Sequence, residues 1–244
     1  MNNVKSSVGT LSSSAKKTKR FRTPISERTL PFYTRGEEIM NTLSHTIGAA
    51  LGVAALVLCV VFTAMRGNVW GTVAGAVYGS SLVLLYTMSS VYHGLRCETA
   101  KKVMQVLDHC TIYFLIAGSY TPVALCAIRK VDPTVGWTLF GVVWGLALVA
   151  ATFTAIDLKK FRVLSMICYI GMGWSIVFAA ETAMAAIPEK GLLYLLAGGI
   201  SYTVGAILYG LGKKHRYMHS VFHVFVVAGS VLQFVCIFFF ILLK

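Results

Sequence analysis

Polar and apolar positions alternate along this chain on one coarse scale. A polar opening is followed by seven long apolar stretches joined by short polar links. The stretches cover residues 39–65, 69–95, 103–128, 134–156, 163–187, 192–211 and 218–243. Each can cross a hydrocarbon core, which takes about 20 helical residues. None alternates with the period of a barrel strand, and all are too long for one, so helices are the form that satisfies every backbone group in lipid. The predicted fold is all-α, a polytopic membrane protein built as a seven-transmembrane-helix bundle. Two parts are expected: a flexible, basic tail over residues 1–35 and a membrane domain over 36–244. The first apolar run begins too late and runs too long for a cleavable signal peptide.

Composition sharpens this. Of the 244 residues, 57% are hydrophobic and only 13% charged, about half the charged share of a soluble domain. A soluble enzyme, a fibrous protein and a disordered chain are thereby excluded, because a soluble globule cannot hide so much apolar side chain. The six cysteines are scattered without a CxxC pair, so neither a disulfide framework nor a thiolate metal site is signalled.

Charge sets an orientation. Of 22 Lys and Arg residues, eight lie in residues 1–35. Three more fall in each of the groups Arg96/Lys101/Lys102, Lys159/Lys160/Arg162 and Lys213/Lys214/Arg216, all on the same side of the bundle. Arg66, Arg129, Lys130, Lys190 and Lys244 fall on the other. The positive-inside rule then puts the N-terminus in the cytoplasm and the C-terminus outside a multi-pass cell (plasma) membrane protein. That polarity is inverted relative to G-protein-coupled receptors. The net charge of +13 is spread over links and tail rather than one soluble face. It points to membrane lipids and anionic lipid headgroups as partners of the basic tail, and not to nucleic acid. Nothing in the pattern sets an oligomeric state. Small residues recur at packing spacing at Gly48/Gly52, Gly71/Gly75/Gly79 and Gly141/Gly145.

Ionisable residues inside membrane spans are costly and mark cavities, partners or metals. All six histidines fall toward the predicted cytoplasmic side. Helix 1 opens with Glu38 and Asn41, with His45 about 10 Å further in. Helix 2 ends with Ser89 and His93, helix 3 opens with Asp108 and His109, and helix 7 opens with His219 and His223. His219 and His223 are four residues apart, one turn along a single face. Such a pair by itself is as readily an interfacial or packing feature. Three histidines and one aspartate on three helices at one depth point to a metal. Three neutral imidazoles suit Zn2+ with an open position for water, whose pKa the metal lowers. Asp108 would act on that water as general base, or serve only as an acidic residue favoured near a helix N-terminus. Ser89 would orient a ligand or donate to an oxyanion. His45 and Asn41 either bond between helices or, with Glu38, support the ligands from behind. His109 and His215 read as interfacial, Asp157 as solvated at the cytoplasmic face, and Glu181 as solvated or paired on the outer half of helix 5.

At these residues the chain resembles a known family. The segment Glu37-Glu38-Ile39-Met40-Asn41-Thr42-Leu43-Ser44-His45 resembles the opening of the hemolysin III proteins, the bacterial branch of the progestin and adipoQ receptor (adiponectin receptor-like) superfamily. Ser89-Ser90-Val91-Tyr92-His93 resembles the second motif. Leu107-Asp108-His109, followed by Ala117-Gly118-Ser119-Tyr120-Thr121-Pro122, resembles the third-helix segment, and His219-Ser220-Val221-Phe222-His223 the last. The resemblance runs from Glu37 to the C-terminus. It implies a seven-helix bundle with zinc held near the cytoplasmic side by His93, His219 and His223. It also implies an aspartate near the zinc-bound water at Asp108 and a second-helix serine at Ser89. Through the adiponectin receptors and the more distant alkaline ceramidases it implies hydrolysis of lipid amides, and through the bacterial members a part in membrane lipid homeostasis; the polar cluster at the depth of lipid carbonyls extends the expected substrates to lipid esters. A non-catalytic sensor with structural zinc, or the haemolytic activity behind the family name, are the alternative implications. A lytic role fits a permanent membrane resident less well.

Overall fold

The computed structural model describes residues 22–212 and 215–244. The first 21 residues of the basic tail, and Lys213 and Lys214 of the last basic group, lie outside them. Among the described residues, seven helices are long and apolar enough to cross a membrane. They are α1 (Arg35–Met65), α2 (Val69–Gly94), α3 (Glu98–Val131), α4 (Pro133–Ile156), α5 (Arg162–Ala186), α6 (Glu189–Leu211) and α7 (Met218–Leu242). No strand occurs among the described residues.

The helices begin where the local chemistry allows. At the start of α1 the Thr34 hydroxyl accepts from the Glu37 backbone N–H at 3.3 Å, while the Glu37 carboxylate accepts from the Thr34 N–H at 2.8 Å. This reciprocal cap starts the helix four residues before the apolar run does. The other Glu37 carboxylate oxygen accepts from the Tyr217 N–H at 2.8 Å, which ties the start of α1 to the start of α7. Asn68 caps α2, and Asp132 with Pro133 opens α4. The first turn of α3 is polar, and there Lys102 reaches Glu98 at 2.7 Å, so the helix outruns its apolar core. At Pro122, which has no N–H to donate, α3 continues through a widened turn over Val123–Ile128.

The most apolar part of α3 is 83% buried, against 17% for α6, so α3 is the central helix. Around it α1 packs on α2 and α7, α3 on α2 and α4, and α6 on α7. α5 and α6 pack little on each other, and a cavity occupies the space between them and α3. Close approach is built from missing side chains on α1 and α2. A Cβ on Gly48 would sit 2.6 Å from the Tyr86 ring, and one on Gly79 would meet the Leu56 backbone. The matching expectation for Gly141 and Gly145 is corrected: both face open space, because α4 presents that side outward. Large apolar side chains such as Ile39, Val57, Leu148 and Phe178 are exposed on the outer faces, as lipid contact requires.

Upstream of α1, residues 22–34 lie across the end of the bundle that carries the histidines. Thr23 donates its backbone N–H to Asp157 at 3.0 Å, and its hydroxyl donates to the same oxygen. Arg28 donates to the Ile156 carbonyl at 3.2 Å, and Lys102 to the Ser26 carbonyl at 3.5 Å. Asp157 is therefore not the solvated helix end that its position in the sequence suggests. It is buried at the α4–α5 turn, where it also accepts from the Lys159 and Lys160 N–H groups.

Candidate metal centre and its cavity

His93 sits in the last turn of α2, and His219 and His223 in the first turns of α7. His93 and His223 are buried, and His219 is partly so. The cap that binds Glu37 to Tyr217 brings the start of α7 beside the start of α1, and α1 carries the partners of these rings. His219 Nε2 lies 3.1 Å from His93 Nε2 and 3.1 Å from His223 Nε2. One nitrogen from each ring falls within 4.8 Å of the other two.

The opposite edges of two rings are tied to α1. His93 Nδ1 lies 2.7 Å from Glu38 Oε2, so it carries the proton and donates, which leaves its Nε2 lone pair facing the cluster. Lys101 completes an ion pair with the other oxygen of Glu38. His223 Nδ1 lies 3.3 Å from the Asn41 carbonyl and 3.3 Å from the Ser44 hydroxyl. Donation to that carbonyl again turns an Nε2 lone pair inward. The Asn41 side chain is fixed in turn by the Ser220 hydroxyl, which donates to its Oδ1 at 2.6 Å. Among the described residues His219 Nδ1 is buried with no hydrogen-bond partner.

These observations test whether the residues fit a metal ion. Two inward lone pairs meet a third nitrogen at 3.1 Å, and a single proton on His219 can serve only one of them. Imidazole nitrogens about 2.0–2.1 Å from one tetrahedral ion stand about 3.3 Å apart, close to what is found here. The donor set fits a small divalent cation that favours nitrogen.

His45 takes a different position from that of a hydrogen-bonding partner. Its ring stacks on His223 at 3.5 Å between centroids and meets Tyr86 edge-on at 5.0 Å. Neither of its nitrogens has a hydrogen-bond partner among the described residues. Ser89 and Asp108 are both buried and line the same cavity as His45, His219 and His223. The Ser89 hydroxyl neighbours the Asp108 carboxyl and makes no hydrogen bond of full geometry among the described residues. Of the two histidines read as interfacial, His109 folds back on the Gln105 carbonyl at 2.8 Å and lines the cavity, as does the exposed His215. Glu181 lies on the exposed side of α5, outside the cavity.

The cavity has a volume of about 940 Å³. It extends from His219 past Phe222 and Val226 to Gln233 on α7, a drop of about 20 Å at helical rise. Its middle is walled by Leu85, Ile112, Leu115 and Ile170. A polar cluster thus stands at the mouth of an apolar slot, the arrangement that accepts an amphiphile. Tyr33, Lys101 and Ser220 are site residues that sequence reasoning missed. Tyr33 falls in the segment read as tail and Lys101 in a cluster read only as topology. A polar residue one turn from a motif, as Ser220 is from His223, would have been the one available signal.

The Haemolysin-III related family profile matches residues 33–234. The chain is 39% identical to Hemolysin-3 of Bacillus cereus over 206 residues, 84% of this chain and 92% of that protein. It is 38% identical to the Hemolysin-3 homolog of Bacillus subtilis (strain 168) over 208 residues, 85% of this chain and 96% of that one. A more distant likeness, 25% over 223 residues and 88% of both chains, joins it to the Monocyte to macrophage differentiation factor of Homo sapiens. Seven apolar spans, the ordered motifs and these matches agree: the chain is a multi-pass protein of the cell membrane and belongs to the haemolysin III-related family.

Proposed function

We propose that this protein is a zinc-binding membrane protein that hydrolyses lipid amide or ester bonds, with its N-terminus and zinc centre at the cytoplasmic leaflet. The observation that carries the reading is the convergence of three imidazole nitrogens, two with their far edges tied to Glu38 and to the Asn41 carbonyl, at the mouth of an apolar cavity. His93, His219 and His223 would hold the ion. Bound zinc supplies a Lewis acid and a water of lowered pKa.

The chain's own residues do the rest. The apolar cavity wall takes the chain of the lipid and places its carbonyl near the polar mouth. Asp108 accepts a proton from the attacking water and returns it to the leaving amine or alcohol. The Ser89 hydroxyl, beside Asp108, donates to the oxygen on which negative charge develops. The burial of Asp108 and Ser89 strengthens both interactions, because little water competes there. Anionic lipid headgroups are the partners that the charge of the basic N-terminal tail fits.

A second reading has its own observation. The ligands come from α2 and α7, so the ion would join two helices distant in sequence whatever chemistry it performs. Zinc would then be structural and the protein a sensor of the lipid in its cavity. One set of samples separates the two: metal analysis of purified wild type and His219→Ala, with a panel of ceramide-like amides and acyl esters assayed on both. Hydrolysis with stoichiometric zinc in the wild type, and neither in the variant, supports the hydrolase. Stoichiometric zinc that stabilises the fold, with no turnover across the panel, supports the sensor. A metal-free wild type that is folded and active overturns both.

A further inference from the structure

Two of the three ring orientations are explained by hydrogen bonds on the far edge, from Glu38 to His93 and from the Asn41 carbonyl to His223. His219 has no such bond among the described residues, where its Nδ1 is buried without a partner. Something else keeps this ring facing the other two. It stands between aromatic faces: Tyr33 stacks on it at 5.1 Å between centroids and 23° between planes, Tyr209 lies at 5.2 Å, and Phe222 at 5.8 Å. Tyr209 and Phe222 are themselves paired at 5.3 Å and belong to the α6–α7 wall. Tyr33 alone comes from outside the membrane helices, and its edge also meets His93 at 5.6 Å. It therefore touches one ring from each of the two helices that supply the cluster.

Tyr33 is not free to choose its place. One residue on, Thr34 caps α1, which fixes the chain at that end. At the other end, ten residues back, Thr23 gives two hydrogen bonds to Asp157 at the α4–α5 turn. Between them Arg28 reaches the Ile156 carbonyl and Ser26 takes a bond from Lys102 on α3. Residues 23–34 are thus a strap pinned to three separate helices. Thr29, Leu30, Pro31 and Tyr33 on it line the cavity beside His219.

We propose that Tyr33 is a positioning residue for His219, and that the strap carrying it, tied down at Asp157, sets how long a metal ion is retained by the three histidines. The proposal rests on the zinc reading above. Aromatic stacking fixes the ring plane but adds no ligand, so its effect is on the orientation of an existing ligand. The ring provides this contact and the hydroxyl does not, so phenylalanine serves as well as tyrosine. Because the strap is pinned at the α4–α5 turn, on neither of the helices that carry the three histidines, loosening it at Asp157 acts in the same direction as removing the ring.

The test compares purified, zinc-loaded wild type, Tyr33→Ala, Tyr33→Phe and Asp157→Ala as full chains in detergent. Two readouts are used: the rate of Zn2+ loss to a strong chelator, and the visible absorption of the Co2+-substituted protein, which reports ligand geometry. Tyr33→Ala is expected to lose zinc about tenfold faster or more, and its Co2+ bands are expected to shift. Tyr33→Phe is expected to restore both, and Asp157→Ala to move both toward Tyr33→Ala. If Tyr33→Ala does not fold, the contrast between Asp157→Ala and Tyr33→Phe carries the test. Wild-type rates and spectra in Tyr33→Ala, or in Asp157→Ala where Tyr33→Ala does not fold, overturn the proposal and leave the zinc centre standing. A Tyr33→Phe that behaves as Tyr33→Ala overturns it too, by assigning the effect to the hydroxyl. A wild type that binds no zinc overturns this proposal together with the reading it rests on.

Discussion

Glu38 Oε2 lies 2.7 Å from His93 Nδ1, and as the proton acceptor there it turns the Nε2 lone pair of His93 toward the cluster. Without it the Asn41 amide, 3.4 Å from the same Nδ1, is the remaining polar partner there, and its N–H favours the tautomer that carries the proton on Nε2. Glu38→Gln, which removes the charge and weakens the demand for a proton on Nδ1, is expected to lower zinc affinity by about 10- to 100-fold. Competition with a coloured chelator measures it. Unchanged affinity would mean that His93 is oriented by packing alone.

His45 offers the opposite case. Its nitrogens bond to nothing, while its ring fills space against His223 and Tyr86. His45→Phe should therefore bind zinc within about twofold of wild type and melt at a similar temperature. His45→Ala leaves a hole behind His223 and should cost about 2–5 kcal/mol. Thermal unfolding with zinc content measured in parallel distinguishes filler from ligand. A His45→Phe protein that cannot hold zinc would show that the imidazole itself is needed.

The tie between the strap and the bundle carries a pH signature. Burial alone would raise the Asp157 carboxyl, but the bonds from Thr23 and the Lys160 N–H, with Arg28 nearby, outweigh it and hold it below the usual carboxylate range. A group depressed in the fold contributes stability above its unfolded pKa of about 3.9 and loses it as pH falls through the folded value. The strap should stay in place from pH 8 to pH 5 and let go only below about pH 4. The mobility of a spin label at position 25, in a protein without other reactive cysteines, follows this directly. Release between pH 8 and pH 6 would contradict it.

Two glycines of similar sequence context should behave differently. Leucine at Gly79 would push into the Leu56 backbone and separate α1 from α2, at a cost of about 1–3 kcal/mol or more. Leucine at Gly141 meets open space and should be tolerated. Melting temperatures of the two variants in one detergent settle the comparison.

Much of the architecture could be read from the chain because lipid imposes a simple rule: each span must be apolar, helical and about 20 residues long. Seven runs of that kind leave one fold class, and the helices found at Val69–Gly94 and Pro133–Ile156 begin and end within a residue of the apolar pattern. The histidines were legible for the same reason, since a polar group in a span stands out against its surroundings. The rings of His93, His219 and His223 lie together, and Asp108 and Ser89 line one cavity with His219 and His223.

Other features were decided only by tertiary structure. Helical spacing puts Gly141 and Gly145 on one face exactly as it does Gly75 and Gly79, yet only contact between helices says which face is covered. Residues 22–34 have the composition of a solvated tail, and no local pattern shows that Thr23 meets Asp157, 134 residues away. Tyr33 reaches His219 because the cap at Thr34 and the tie at Asp157 fix both ends of a short strap. The sequence by itself determined how many times the chain crosses and which polar groups it carries inward, since those follow from hydropathy, one residue at a time. Which groups touch depended on long-range packing and on hydrogen bonds between distant segments, and these exist only once the helices have assembled.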